Sequence, residues 1–186
     1  MLEKLEVWPS QRNLIIAIVA AACSFLIFFL LMRAVSEPIQ ADSSYDVYDL
    51  EFAWTSDRME TILDDWGDDL IEREIWATYL DFGFLVAYGT LLAGLCLLLG
   101  RAFQDEMLGS LGFRFVLVSY VASLFDALEN INLLLVLHFP DSFPAFAPLL
   151  ASTCATIKFS LVACVIAYIL IATMMYGGRR LREKPE

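Results

Sequence analysis

The chain has 186 residues, of which 59% are hydrophobic, and its formal net charge is −11. This apolar content is well above that of an ordinary soluble domain, so the soluble globular class is disfavoured. Nucleic-acid binding is also disfavoured, because phosphate contacts need clustered lysine and arginine and this chain is strongly acidic.

The apolar residues are concentrated in four blocks along the chain. Each block is close to, or longer than, the roughly 20 residues that a helix needs to cross about 30 Å of hydrocarbon. The blocks lack strict alternation, and only helices or closed barrels can span a bilayer. The sequence therefore predicts an all-α membrane protein with a single four-helix transmembrane domain over residues 1–186. The predicted transmembrane segments are residues 14–32, 79–99, 115–137 and 149–176.

The first block has an alternative interpretation as a signal peptide. Its apolar run is longer than the roughly 7 to 15 residues usual for a signal peptide, and no A-x-A cleavage site follows it. The polar stretch SEPIQADSS after Arg33 leaves weak cleavage open. We expect an uncleaved transmembrane helix.

Residues 33–77 form a long acidic connection after the first segment. They hold thirteen of the 23 acidic residues together with three arginines, so almost all of the net negative charge lies here. Residues 48–54, YDLEFAW, alternate apolar and polar side chains, which predicts an extended segment with one buried face. A short helix is predicted next, with Thr55 or Ser56 as its N-cap and Gly67 at its end. After Gly67 a helical pattern restarts and continues into the second transmembrane segment.

We expect this acidic connection to fold as a short extracytoplasmic cap on the outer end of the bundle. Trp54, Trp66, Trp76 and Tyr79 fall near the expected outer interface, where amphipathic aromatic side chains collect. The alternative is a helix lying on the membrane surface. Heavy acidity disfavours that alternative, because it repels anionic lipid.

Basic residues near the ends of the transmembrane segments predict the orientation of the chain. Lys4 and Arg12 precede the first segment, Arg101 and Arg114 lie in the second connection, and four basic residues follow the fourth segment. The third connection, HFPDSFPAFAP, has neither lysine nor arginine. We therefore expect a multi-pass protein of the cell inner (plasma) membrane with both termini cytoplasmic.

The cysteines lie within the apolar blocks, and none is in an external connection. No C-x-x-C pair is present, so a loop disulfide is not expected. Four-helix disulfide-forming enzymes and claudin-like junction proteins, which depend on such cysteines, are therefore disfavoured. The four residues are Cys23, Cys96, Cys154 and Cys164.

The third transmembrane segment carries several polar side chains, although ionisable groups at bilayer depth cost about 2.5 to 3.5 kcal/mol each on insertion scales. A helix turns 100° per residue, so most of these side chains share one face, which should point into the bundle. Asn132 points elsewhere. The residues of this polar face are Ser119, Ser123, Asp126 and Asn130, with Glu129 beside them.

Depth along the helices predicts partners for this face. At a rise of 1.5 Å per residue, Glu129 and Lys158 both lie about 12 Å below the outer ends of their helices. We therefore expect Lys158 to pair with Glu129 or Asp126, because an unpaired buried ammonium would tend to lose its proton. Asp81 and Tyr88 should complete a polar pocket that opens to the outer side. The alternative is a purely structural network that sets helix register.

No metal site or cofactor is expected. The single histidine, His138, lies at a helix end, whereas zinc prefers several cysteine and histidine ligands. A cation held by Asp, Glu and Asn oxygens stays open as an alternative. The sequence has no G-x-S-x-G, phosphate-binding loop or H-E-x-x-H motif, so the chain is expected to be non-enzymatic or poorly enzymatic.

Three strings, YDLEFAWTSDRMETILDDWG, DFGFLVAYG and FDALEN, resemble a group of uncharacterised prokaryotic four-helix integral membrane proteins. The resemblance is at the level of pattern, and it implies no known activity. It implies as motif positions the following residues: Asp81, Tyr88, Asp126, Glu129 and Asn130.

The sequence thus predicts a membrane protein that binds a small ligand, lipid or cation in an intramembrane polar pocket. One alternative is an accessory subunit of a larger membrane complex. Another is an intramembrane enzyme that uses carboxyl groups as acid and base on an apolar substrate. The expected partners are the lipid bilayer and either further copies of the chain or a larger membrane complex.

Overall fold

The computed structural model describes residues 9–103 and 106–182, and these residues form helices and short connections without any strand. The predicted all-α class is therefore confirmed for the described residues. Four of the helices are long and apolar enough to cross a membrane. The helices are α1 (Gln11–Asp42), α2 (Val47–Glu51), α3 (Ser56–Ala102), α4 (Met107–His138) and α5 (Ala147–Arg182).

Helix α3 is the centre of the bundle. It packs along α1 on one side and along α4 on the other, and it has a smaller contact with α5. Helix α4 also packs along α5. Helix α1 has an extensive contact with α3 alone, and it is the least buried of the four long helices. The order of packing is therefore α1, α3, α4, α5, with α1 at the edge.

Small residues bring α3 and α4 close together. A Cβ atom on Gly112 would lie 2.7 Å from the Cα of Gly100 and 2.9 Å from the carbonyl oxygen of Cys96. Both contacted atoms belong to the backbone of α3, so no side-chain movement could make room. Small residues allow such close contacts between helices in membranes, where packing rather than the hydrophobic effect drives association.

Residues 48–54 are not extended, so that prediction was wrong. Residues Val47–Glu51 form the short helix α2, with Asp46 as its N-cap. Asp46 accepts a hydrogen bond from the Asp49 amide, and the Asp49 side chain accepts one from the Asp46 amide. This capping box stabilises a helical turn. It outweighs the alternating pattern, which covers only a few residues.

Gly67 breaks the helix as predicted. Its φ of 64° and ψ of 179° interrupt α3, which continues beyond it to Ala102. Glycine adopts a positive φ readily, whereas other residues pay a steric cost there. The N-cap of α3 is Thr55, whose side chain accepts a hydrogen bond from the Arg58 amide.

The first part of α3 packs against the end of the bundle where α4 ends and α5 begins. Met59 and Ile62 are fully buried there, in contact with a cluster that includes Val136 and Ala151. Trp66 belongs to the same cluster.

Trp66, which was expected among the aromatic side chains near the outer interface, is buried inside the fold. Its side chain is only 4% exposed, and its indole N–H donates to the backbone oxygen of Tyr45. Trp66 lies on the apolar face of the first part of α3, which turns its ring inward. Trp54, Trp76 and Tyr79, in contrast, are exposed.

All four cysteines are free. Cys96 and Cys154 are buried, whereas Cys23 and Cys164 are exposed.

Candidate functional site

An ion-pair cluster lies between α4 and α5. Lys158 on α5 donates a 2.8 Å hydrogen bond from Nζ to Asp126 Oδ1 on α4. The same Nζ lies 2.9 Å from Glu129 Oε2, one helical turn further along α4. All three side chains are buried, and Glu129 has no exposed surface. The structure thus brings Lys158 together with both carboxylates that the depth argument proposed as its partners.

Glu51 also reaches this cluster, which the sequence did not predict. Its Oε1 lies 3.9 Å from Lys158 Nζ, because α2 places the last residue of the helix against α5. Burial raises the pKa of the Glu51 carboxyl above its ordinary value, and the positive charge of Lys158 only partly opposes this shift. In an extended segment Glu51 would have been on the polar side, so the alternating pattern hid its position.

A hydrogen bond between Asn130 and Asp81 joins α4 to α3. Asn130 Nδ2 donates to Asp81 Oδ2 at 2.6 Å. Asn130 is buried, and Asp81 is partly buried. The two residues therefore lie together, as expected for a polar pocket that α3 and α4 share.

Glu74 is the second acidic residue that sequence reasoning did not include. It is only 3% exposed, and its Oε2 has no hydrogen-bond partner among the described residues. Its backbone oxygen accepts a hydrogen bond from Thr78 Oγ1 at 2.8 Å. The sequence contained a signal for this position. Glu74 lies three residues from Ile71 and four residues from Leu70 and Thr78, so it shares the inward face of the helix with them.

Tyr88 lies one turn beyond Phe84 on α3, and its side chain is 8% exposed. Its hydroxyl has no hydrogen-bond partner in the described part of the chain. The Tyr88 and Phe84 ring centroids are 5.6 Å apart, and Phe25 of α1 lies 4.9 Å from Phe84. Phe29 continues this row of rings at 6.2 Å from Phe25. An aromatic wall of Tyr88, Phe84, Phe25 and Phe29 therefore runs from α3 to α1.

Ser123 does not belong to the polar pocket. Its hydroxyl donates to the backbone oxygen of Leu85 at 3.0 Å and to that of Ser119 at 3.3 Å. A Cβ atom on Gly89 would overlap Ser123 Oγ, so the side chain fills the contact between α3 and α4. Ser123 thus joins two helices, although it shares a helix face with Asp126.

A cavity of about 730 Å³ lies between these groups. Its polar end is lined by Glu51, Glu74, Asp81, Asp126, Asn130 and Lys158. Arg33, Ser36 and Thr78 are further polar residues of the lining. The apolar part of the wall extends along α3 and α5 to Leu91, Leu92, Val162 and Ile166, with the aromatic wall on one side. Glu129 does not line the cavity and lies behind Lys158.

The cavity is flanked by α1 and α5, which have at most marginal contact with each other. On the two flanking helices, the exposed apolar side chains that line the cavity are Phe29 of α1 and Phe159 and Ile166 of α5. The cavity therefore opens sideways, between two apolar helices, at the surface of the bundle.

No group of three or more metal-ligating side chains in the described residues could hold a metal ion. His138 lies at the end of α4, away from the cluster, with Nδ1 2.9 Å from the Leu134 oxygen and Nε2 3.4 Å from the Tyr79 hydroxyl.

The chain was compared with protein-family models, with curated proteins and with solved structures, and none of them matches it.

Proposed function

We propose that this chain is an integral membrane protein that binds a small amphiphilic molecule in the cavity between α1, α3, α4 and α5. The polar part of the ligand lies at the end of the cavity that Lys158 and the carboxylates line. The apolar part extends along Leu91, Leu92 and Val162. The bound molecule exchanges with the bilayer through the opening between α1 and α5.

The observation that carries this proposal is the uneven lining of a cavity of about 730 Å³. Binding sites of some 300 to 1,000 Å³ with apolar walls and a few convergent polar groups are typical of small-molecule sites. Here the polar groups are at one end and the apolar groups at the other. This distribution matches a molecule with a polar head and an apolar body.

Membrane insertion supports the exchange route. The four long helices suit a multi-pass protein of the inner membrane, and the basic residues favour cytoplasmic termini. In that orientation Asp81, Asp126 and Lys158 lie in the outer half of the bilayer, and the acidic segment around α2 lies on the outer side. Phe29, Phe159 and Ile166 then face lipid tails, so an apolar molecule could enter from the bilayer.

The cavity also favours ligand binding over a purely structural role in a larger complex. A network that only sets helix register requires no space beside it. Here Glu74 Oε2 and the Tyr88 hydroxyl have no hydrogen-bond partner among the described residues, although both side chains line the cavity. Buried polar groups without partners cost about 1 to 3 kcal/mol each, which a bound ligand would offset.

The experiment that tests this proposal blocks the apolar part of the cavity. Val162 lines the cavity from α5, whereas Leu170 on the same helix is 59% exposed and does not line it. Val162→Trp should displace a bound amphiphile, and Leu170→Trp is the matched control. Native mass spectrometry after purification in a mild detergent measures the lipid-like molecules that each variant retains.

We expect the wild type and Leu170→Trp to retain a defined amphiphile and Val162→Trp to lose it. Equal retention by all three would show that bound molecules lie elsewhere on the surface. A wild type that retains no small molecule but a stoichiometric protein partner would favour the accessory subunit.

A further inference from the structure

We propose that the amphiphile is a lipophilic organic cation, whose charged group binds beside Glu74 and Asp81 against the aromatic wall. This assignment of a ligand class rests on the binding function proposed above. Three features of the site support it: the balance of charges, the two acidic side chains that have no ion pair, and the aromatic rings beside them.

The cluster contains more carboxylates than cations. Glu51, Glu74, Asp81 and Asp126 line the cavity, and Glu129 lies behind it. Lys158 is the buried cation of this group, and Arg33 lies at the exposed rim. Two basic side chains do not balance five carboxyl groups, and only Lys158 lies among them. Burying uncompensated like charges is costly, so a ligand with a positive charge is favoured over an anionic one.

Lys158 already has its own partners, which leaves two acidic residues without a cation. Its Nζ lies within 4.0 Å of Asp126, Glu129 and Glu51. No ion pair connects Glu74 or Asp81 with a basic side chain in residues 9–103 and 106–182. Glu74 is 3% exposed, lines the cavity and has an oxygen without a hydrogen-bond partner. This oxygen is an unused acceptor at the polar end of the cavity.

The aromatic wall begins next to these carboxylates. Phe84 and Tyr88 follow Asp81 by three and seven residues on α3, so the three side chains share one helix face. Phe25 extends that face toward α1 at 4.9 Å from Phe84. Aromatic faces beside carboxylates attract organic ammonium and phosphonium groups, because the ring quadrupole favours positive charge and the ring also packs on apolar substituents.

The apolar part of the cavity suits the remainder of such a molecule. Asp81 and Leu92 both line the cavity, and along α3 they are separated by about 16 Å at the helical rise. A hydrated inorganic ion would leave this apolar length unfilled. A lipophilic cation fills both ends.

The test uses two ions of the same size and shape with opposite charge, tetraphenylphosphonium and tetraphenylborate. Each is added in radiolabelled form to the full chain in nanodiscs of uncharged lipid, and equilibrium binding is measured above that of empty nanodiscs. We expect saturable binding of tetraphenylphosphonium and none of tetraphenylborate. Val162→Trp should abolish the binding, and Leu170→Trp should not.

Two substitutions test the carboxylates. Glu74→Gln and Asp81→Asn should each weaken tetraphenylphosphonium binding by about tenfold or more, as expected when a charge-assisted contact is removed. Glu72→Gln is the matched control, since Glu72 is exposed on the same helix and does not line the cavity. Should an acidic variant not fold, Phe84→Leu tests the aromatic wall instead, again with weaker binding expected.

The outcomes separate the two proposals. Equal binding of both ions, or tetraphenylphosphonium binding that neither acidic variant weakens, overturns the cationic class and leaves the cavity function standing. Binding of neither ion also overturns the cationic class, while lipid retention in Val162→Trp still decides the cavity function. Retention of the amphiphile by Val162→Trp at the level of the wild type overturns the cavity function itself.

Discussion

Lys158 is the buried cation that three carboxylates share in the interior of the described bundle. Its ammonium lies within hydrogen-bond distance of two carboxylates on a neighbouring helix, and a third is 3.9 Å away. Each carboxylate is tolerated in the interior because this positive charge is near. The energetic role of Lys158 is therefore less to add stability than to allow these three carboxylates to be buried.

We expect Lys158→Met to lower the free energy of unfolding by about 3 kcal/mol or more, because it leaves Asp126 and Glu129 buried without a cation. Thermal unfolding in mild detergent, followed by intrinsic tryptophan fluorescence, measures the change. The double variant Lys158→Met with Glu129→Gln should recover part of the loss, since it removes one uncompensated charge. A single variant as stable as the wild type would show that the cluster is not held by its charges.

Helices α3 and α4 are the rigid pair of the bundle. Their backbones meet at Gly100 and Gly112, and Ser123 joins them again near Gly89. At the other end of this pair, Asn130 and Asp81 connect the same two helices. Because the two helices are held at three levels, Asp81 on α3 and Asp126 on α4 keep a defined position relative to each other. The polar end of the cavity is therefore preorganised.

We expect Gly112→Ala to destabilise the protein by about 1 to 3 kcal/mol, the usual cost of adding a methylene group to a tightly packed contact. The added Cβ meets backbone atoms of α3, so the two helices must move apart. Thermal unfolding measures the loss. Gly177→Ala is the control, because no atom lies within 4 Å of a Cβ there. The control should be neutral or slightly stabilising, since alanine favours a helix over glycine.

On the scale of the whole molecule, α1 is the element least tied to the rest. It contacts α3 extensively and has at most marginal contact with α5, yet Phe25 and Phe29 make it one wall of the cavity. Phe28 packs over Gly83 of α3, where a Cβ atom would overlap its ring. A helix with few buried contacts opens at a lower free energy than a central one. Helix α1 is thus the element that can widen the opening beside α5.

We expect Gly83→Leu to displace α1 while leaving the contact of α3 with α4 intact. Hydrogen exchange of the protein in nanodiscs should then be faster in peptides from α1 and unchanged in peptides from α4. The variant should also retain less of the bound amphiphile, because α1 carries part of the aromatic wall. Gly177→Leu is the control for side-chain size at an open position. Faster exchange throughout the bundle would instead indicate general unfolding.

Away from the cavity, the beginning of α4 contacts the end of α5. Arg179 donates to both carboxylate oxygens of Glu106 at 2.5 and 2.7 Å. These hydrogen bonds lower the pKa of the Glu106 carboxyl below its ordinary value. Because both side chains are exposed to solvent, the pair aligns the helix ends rather than stabilising the fold strongly.

Much of this organisation is local and could be predicted from the chain alone. The apolar blocks, the break at Gly67 and the common face of Asp126 and Asn130 depend on near neighbours in sequence and on helical periodicity. The depth match of Lys158 with Glu129 needed only the helical rise. These predictions succeed because an α-helix converts residue number directly into direction and height.

The tertiary structure decided which distant faces meet. It turned α2 so that Glu51 reaches Lys158. It buried Glu74, although the neighbouring acidic residues Asp69 and Glu72 are exposed. It also placed Ser123 in the contact of two helices instead of in the cavity. It also left α1 and α5 apart, which opens the cavity. None of this follows from periodicity, because a helical pattern tells which side of a helix is buried and not which helix covers it.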